Sequence, residues 1–131
     1  MLMQARGEER DYMVLLGMKG PYKLTSDSID EEVTETGPGN YGLGYARDDD
    51  TFIVKYVGRS DTDLNGRLHD WIGKYKSFKY SSATATSPKA VFEKECRNYH
   101  DFGGSKGLDN SSHPDRPAGS GWKCPVCHIF G

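Results

Sequence analysis

The stretch that decides the fold runs from Gly39-Asn40-Tyr41 to Tyr56-Val57-Gly58. Two short segments rich in aromatic and apolar residues carry these tripeptides, and the polar run Arg47-Asp48-Asp49-Asp50 separates them. Such a run between two apolar segments predicts a turn, so we expect an antiparallel hairpin of strands 40–46 and 51–58. Alternation in the second strand predicts one face with Phe52, Val54 and Tyr56 and the other with Ile53, Lys55 and Val57.

Two helices and a further strand are predicted after the hairpin. Apolar residues at steps of three and four predict a helix over 63–75, and its apolar stripe contains Leu64, Leu68, Trp71, Ile72 and Tyr75. Residues 78–83 are predicted as a strand. Ser87-Pro88, a capping residue followed by proline, begins a helix that runs to about His100. This order of elements favours an α+β fold over residues 37–102.

The first 36 residues are predicted to be an N-terminal extension. Residues 1–11 are charged and are expected to be loose. The short apolar run 13–18 suggests a strand, and 25–33 suggests a short helix that Thr25 or Ser26 caps.

Composition limits the class of protein. The chain has 131 residues, of which only 35% are hydrophobic, so we expect one compact domain with a small core. No apolar run is long enough to span a membrane, and the start does not resemble a secretion signal, so we expect a cytoplasmic protein. The net charge of −2 argues against a protein that coats nucleic acid. The middle of the chain is nevertheless basic: Lys55, Arg59, Arg67, Lys74, Lys76, Lys79 and Lys89.

Four side chains from these elements form a candidate catalytic group. Tyr41 and Tyr56 lie on adjacent strands and can face one cleft. Arg67 flanks the apolar stripe of its helix, and its planar fork suits a phosphate. Glu95 lies on the apolar face of the last helix, whereas Glu93 lies on the solvated face. A carboxylate that points at a core needs a partner, so we prefer Glu95.

This set of groups suits metal-assisted hydrolysis of a phosphodiester. A Mg²⁺ or Mn²⁺ ion on Glu95 would polarise the phosphate. One tyrosine would take the proton of the attacking water, and because its ordinary pKa is about 10, it needs cations nearby. Arg67 would stabilise the charge that develops on phosphorus. Arg59 and Lys74 are the candidate substrate-binding residues, although a plain surface role for Arg59 is equally compatible with the sequence.

These residues resemble the motifs of the GIY-YIG endonuclease superfamily over residues 37–102. Its two tripeptides correspond to Gly39-Asn40-Tyr41 and Tyr56-Val57-Gly58, its helix arginine to Arg67, and its metal-binding glutamate to Glu95. The resemblance implies a three-stranded antiparallel sheet with flanking helices, and cleavage of DNA with one divalent metal. Asn40 stands where the family usually has an apolar residue.

The C-terminal segment 103–131 contains a candidate metal site. Cys124-Pro125-Val126-Cys127 has the spacing of a zinc knuckle, and His100 and His113 are the natural further ligands. Cys96 and His128 are rival ligands. Four protein ligands leave no open position, so zinc here would be structural. It would tie together a polar stretch, 103–121, that has few apolar residues of its own.

The sequence alone also allows other interpretations. A redox CxxC or a pair of free thiols could explain the cysteines. The domain could be a catalytically inactive nucleic-acid-binding module of the same fold, or a zinc-stabilised protein-interaction module. DNA is the expected partner and RNA a possible one, while the oligomeric state is left open.

Overall fold

The computed structural model describes residues 18–49, 51–82 and 87–130. The predicted strand over 13–18 falls almost wholly outside them. Eight elements follow one another: β1 (Lys19–Lys23), α1 (Ser26–Glu32), β2 (Gly39–Ala46), β3 (Phe52–Ser60), α2 (Leu64–Asp70), β4 (Ser77–Ser82), α3 (Pro88–Asp101) and α4 (Gly104–Gly107). Within this part of the chain, no helix combines the length and the hydrophobicity needed to cross a bilayer.

The strands form one antiparallel sheet in the order β1-β4-β2-β3. The α+β class is confirmed, but the expectation of three strands is wrong because β1 adds a fourth. Its sequence, Lys-Gly-Pro-Tyr-Lys, has no apolar alternation, so no local pattern predicts a strand. Pairing of Tyr22 with Phe78 in β4 supplies the strand instead, and an edge position tolerates the proline.

A bulge in β3 changes the predicted faces of the hairpin. Leu43 lies opposite Tyr56 while Gly44 lies opposite Val54, so Lys55 is the extra residue. Val57 therefore shares a face with Val54, and Tyr56 turns to the other face. The predicted alternation was wrong at this point because it assumed an uninterrupted strand.

Each face of the sheet is covered by different helices. The α1 and α2 face holds the larger cluster: Leu24, Ile29, Val33, Tyr41, Leu43, Leu64, Leu68, Phe78 and Tyr80. The α3 face holds the second: Met18, Phe52, Val54, Val57, Tyr99, Phe102 and Leu108. Phe92 and Cys96 of α3 also pack against Cys124, so the tail is attached to the helix that carries Glu95.

The helix boundaries follow local signals. Thr25 caps α1 and Ser87 caps α3, through hydrogen bonds from Ser28 N and Ala90 N respectively. The helix predicted over 63–75 ends earlier, at Asp70, and the chain turns through Gly73 with φ 91°. Glycine adopts this left-handed conformation easily, and a glycine in the middle of a helix destabilises that helix.

The polar stretch after α3 covers the outer edge of β3. The side-chain amide of Asn110 donates to the carbonyl of Val57 (2.9 Å), and its oxygen accepts from the N–H of Val57 (3.0 Å). The N–H of Asp109 donates to the carbonyl of Lys55 (2.6 Å). This segment therefore satisfies backbone groups that an edge strand would otherwise expose.

Candidate active site and metal centre

The tyrosine of the first tripeptide lies directly over the glycine of the second. Tyr41 and Gly58 are register partners in the β2–β3 ladder, and a Cβ atom at Gly58 would overlap the Tyr41 ring. The close approach of the ring therefore requires glycine at this position. Tyr56 lies two residues earlier in the same strand, opposite Leu43, and packs against the same cluster as Tyr41.

Trp71, just after α2, joins the two tyrosines. Its indole Nε1 donates a hydrogen bond to Tyr41 Oη (3.1 Å), and its ring centroid lies 4.5 Å from that of Tyr56. The sequence predicts Trp71 only as part of the apolar stripe of its helix. Its position four residues after Arg67 was the signal that it could reach the same point.

Both phenols resist ionisation within the protein. Tyr41 is 1% exposed, and this burial raises its pKa to about 12, although the Trp71 hydrogen bond and the guanidinium of Arg67 act in the opposite direction. Burial and the carboxylate of Glu95 also raise the pKa of Tyr56, and Arg67 offsets part of the rise. Tyr56 is only half-buried, so of the two it is the one more open to solvent.

Arg67 is exposed on α2 and faces the end of β3. Its Nη1 donates to the carbonyl of Arg59 (3.3 Å), and its charge acts on both Tyr41 and Tyr56. The helix thus brings the guanidinium beside the two phenols.

Glu95 reaches the site from the opposite layer. It is 8% exposed on α3, and Arg59 Nη1 lies 2.5 Å from its Oε1. Burial raises the pKa of the Glu95 carboxyl, and the positive charge of Arg59 opposes that rise. Arg59 also contacts Asp61 (Nε to Oδ1, 2.8 Å), so two carboxylates bracket one guanidinium. We expected a metal or Arg67 as the partner of Glu95, and the structure places Arg59 there.

The other predicted site residues lie as follows. Glu93 is on the solvated side of α3, where Arg97 Nη2 lies 3.9 Å away. Arg59 is not a free surface cation, because its side chain is only 11% exposed and lies in the ion pair. Lys74 is exposed on the turn after α2. Asn40, the departure from the family pattern, donates to the Val91 carbonyl (3.0 Å) and thereby attaches β2 to α3.

The sequence-predicted metal ligands form a compact cluster. The ligand atoms of His100, His113, Cys124 and Cys127 all lie within 4.8 Å of one another, and these residues could hold a metal ion. His113 Nε2 lies 3.2 Å from His100 Nε2 and 3.5 Å from Cys127 Sγ. Tetrahedral zinc with bonds of about 2.0–2.3 Å sets its ligand atoms roughly 3.3–3.8 Å apart.

The protonation of the cluster suits metal binding. His113 Nδ1 lies 2.7 Å from the carbonyl of Pro114, which can only accept, so Nδ1 carries the proton and Nε2 is left to bind metal. Burial alone would raise the pKa of Cys124, but hydrogen bonds from the Val126 and Cys127 backbone lower it to about 6. Burial and the neighbouring Cys124 raise the pKa of Cys96, which stays outside the cluster.

Comparisons of the chain with protein-family models, with curated proteins and with solved structures find no match.

Proposed function

We propose that the protein is a metal-dependent endonuclease of GIY-YIG type that hydrolyses phosphodiester bonds in DNA. One observation carries the proposal. Tyr41, Tyr56 and Arg67 lie together on one face of the sheet, and the charge of Glu95 acts on Tyr56 from the other layer. The motif order along the chain supports the same assignment, although it is a resemblance and not a family match.

The roles of the residues follow from their exposure. Arg67 is exposed beside both phenols, so it holds the scissile phosphate and the charge that develops on it. Tyr56 is the more accessible phenol, and as the phenolate it would take the proton of the attacking water. Because burial and Glu95 raise the pKa of Tyr56, this role requires Arg67 together with a cation bound at Glu95 to lower it. Tyr41 is too deeply buried to meet water, and its hydroxyl accepts the hydrogen bond that positions Trp71.

The donor chemistry of Glu95 fits a hard divalent cation. Mg²⁺ and Mn²⁺ prefer carboxylate oxygens and are bound through one or two carboxylates together with substrate phosphates. Glu95 would hold the ion, and Asp61 is a second acid close by, since both contact Arg59. When bound, the cation supplies charge stabilisation at phosphorus and at the leaving oxygen.

We further propose that His100, His113, Cys124 and Cys127 hold a structural Zn²⁺. Two thiolates and two imidazoles suit this borderline-soft ion, and a complete set of four protein ligands leaves no position for substrate. The ligands come from α3 and from the tail, so the ion would fix residues 113–127 to the helix that carries Glu95.

A cleavage assay tests the nuclease. Zinc-loaded protein would be incubated with branched, nicked, single-stranded and duplex DNA and Mg²⁺, with RNA of the same shapes as a parallel arm. We expect Glu95→Gln and Arg67→Ala to abolish cutting, whereas Glu93→Gln, on the solvated side of the same helix, cuts normally. Circular dichroism would check that every variant is folded.

The second candidate is a catalytically inactive nucleic-acid-binding module of the same fold. The Arg59–Glu95 ion pair and the raised pKa values of both tyrosines favour this reading. Loaded protein that binds DNA and cuts none of the substrates would establish it. Absence of both binding and cutting would leave the protein-interaction module. A cytoplasmic location remains part of the proposal.

A further inference from the structure

Three rings pack against one another beside the proposed catalytic groups, so that each ring neighbours the other two. Tyr56 and Trp71 have ring centroids 4.5 Å apart, Trp71 and Tyr75 are 5.9 Å apart, and Tyr56 and Tyr75 are 6.4 Å apart. We call these three residues the aromatic row. All three are only partly buried, so each ring packs on the core with one part and meets solvent with another.

The backbone presents the row at the surface. Because α2 ends at Asp70 and the chain turns at Gly73, residues 71–75 form a tight turn that is closed by a bridge between Ile72 and Tyr75. Ile72, on the same turn, is 38% exposed. The turn after α2 therefore leaves part of an apolar and aromatic surface open to solvent, although Trp71 and Tyr75 also pack against the core.

Cations surround the row. Arg67 lies one helical turn before Trp71, Lys74 and Lys76 flank Tyr75, and all three cations are exposed. Two acids also lie near the row: Asp109 accepts a hydrogen bond from the Tyr75 hydroxyl (2.9 Å), and the carboxylate of Glu95 acts on Tyr56. Aromatic rings together with cations along a backbone path are the two elements of a surface that binds single-stranded nucleic acid.

We propose that the aromatic row stacks an unpaired base of the DNA strand whose phosphate lies at Arg67. This inference rests on the proposed function and narrows its substrate class to DNA with an unpaired nucleotide at the cleavage point, such as a flap, a fork or a single strand. In a continuous duplex both faces of each base are covered by its neighbours, so only an unpaired base can offer a face to the row. Tyr56 belongs both to the row and to the proposed catalytic group, which places the stacked base beside the scissile phosphate.

Binding is measured first, because it does not depend on cutting. The chain has two tryptophans, and a Trp122→Phe background leaves Trp71 as the only indole. Its fluorescence would be followed during titration with oligothymidylate and with a blunt duplex of two complementary strands of the same length, at one fixed salt concentration and without Mg²⁺. We expect saturable quenching by the single strand and about tenfold weaker binding of the duplex.

Variants of Tyr75 separate stacking from simple packing. Tyr75→Leu should weaken binding of the single strand about tenfold, whereas Tyr75→Phe keeps the ring and should bind within twofold of the parent. Tyr22→Leu is the matched control, since Tyr22 is also a partly buried tyrosine on the same cluster but lies on β1, at the far edge of the sheet. Equal effects of Tyr75→Leu and Tyr22→Leu, or equal affinity for duplex and single strand, would overturn the inference.

Cleavage of a flap and of a continuous duplex then distinguishes this inference from the nuclease proposal. One outcome is fluorescence quenching by the single strand that Tyr75→Leu weakens and Tyr75→Phe preserves, without cleavage of either substrate. This outcome would support base stacking on the aromatic row and overturn the nuclease proposal. The other outcome is that flap and duplex are cut at equal rates and that Tyr75→Leu does not change these rates. This outcome would support the nuclease proposal and overturn base stacking on the aromatic row.

Discussion

Arg59 Nη1 lies 2.5 Å from Glu95 Oε1, and neither side chain is more than 11% exposed. The pair joins the end of β3 to α3 in a part of the protein that water reaches poorly. A buried charge without its partner destabilises a fold far more than the intact pair stabilises it. The interaction can therefore be measured by removing one partner at a time.

We expect Arg59→Met to lower the free energy of unfolding by about 3 kcal/mol at pH 7, because it leaves the Glu95 carboxylate buried alone. The double variant Arg59→Met/Glu95→Leu should recover most of that loss. Urea denaturation of the single and double variants measures both values. A double variant as unstable as the sum of the two single variants would show that the pair is not the source of the effect.

Zinc should be essential to the folded tail. Cys124→Ser is expected to abolish stoichiometric zinc and to lower the melting temperature by about 10 °C or more, since metal binding contributes directly to folding. Cys96→Ser is the matched control, because Cys96 is a buried cysteine beside the cluster but not within it. Metal analysis that finds one zinc per chain in both variants would exclude the proposed ligand set.

Gly58 should tolerate no side chain. Gly58→Ala forces the Tyr41 ring out of its position, and such overpacking typically costs about 1–3 kcal/mol. A Cβ atom at Gly121 would meet nothing within 4 Å, so Gly121→Ala is the control and should leave stability unchanged within about 0.5 kcal/mol. Thermal denaturation of both variants checks the difference.

Tyr41 should make the fold sensitive to alkali. Its pKa rises from 10.0 to about 12 on folding, so the unfolded chain loses this proton first and stability falls as pH rises from 10 toward 12. Between pH 9 and pH 11 this residue alone contributes a loss on the order of 1 kcal/mol. Tyr41→Phe should remove this contribution to the loss of unfolding free energy at high pH. The rest of the loss should remain, because other tyrosines titrate as well. Urea denaturation at the two pH values, with Tyr45→Phe as an exposed control, provides the measurement.

Local patterns predicted the parts of the structure that depend on local chemistry. Ser87 and Pro88 mark the start of α3 within one residue, and helical spacing correctly turned Glu95 inward and Glu93 outward. Cysteine and histidine spacing named the four residues of the metal cluster, because few other soft ligands exist in the chain.

Features that depend on distant partners escaped the sequence analysis. Strand β1 exists through its pairing with β4, and the bulge at Lys55 is visible only once Gly44 is placed against Val54. Arg59 directly follows the second tripeptide, and this position suggests a contact with phosphate at the surface. Only the packing of α3 on β3 makes Arg59 the partner of Glu95.

The hydrogen bonds from Asn110 and Asp109 to the edge of β3, called here the Asn110 clamp, affect how the protein behaves in a metal-poor environment. The clamp and the proposed zinc ligands His113, Cys124 and Cys127 belong to the same tail, so we expect loss of a bound ion to release the tail and to expose the backbone groups of Lys55 and Val57 at the edge of β3. Bare strand borders of this kind recruit other copies of the same chain. Material purified under chelation should consequently form β-rich aggregates, whereas resupply of zinc before aggregation should keep the protein monodisperse.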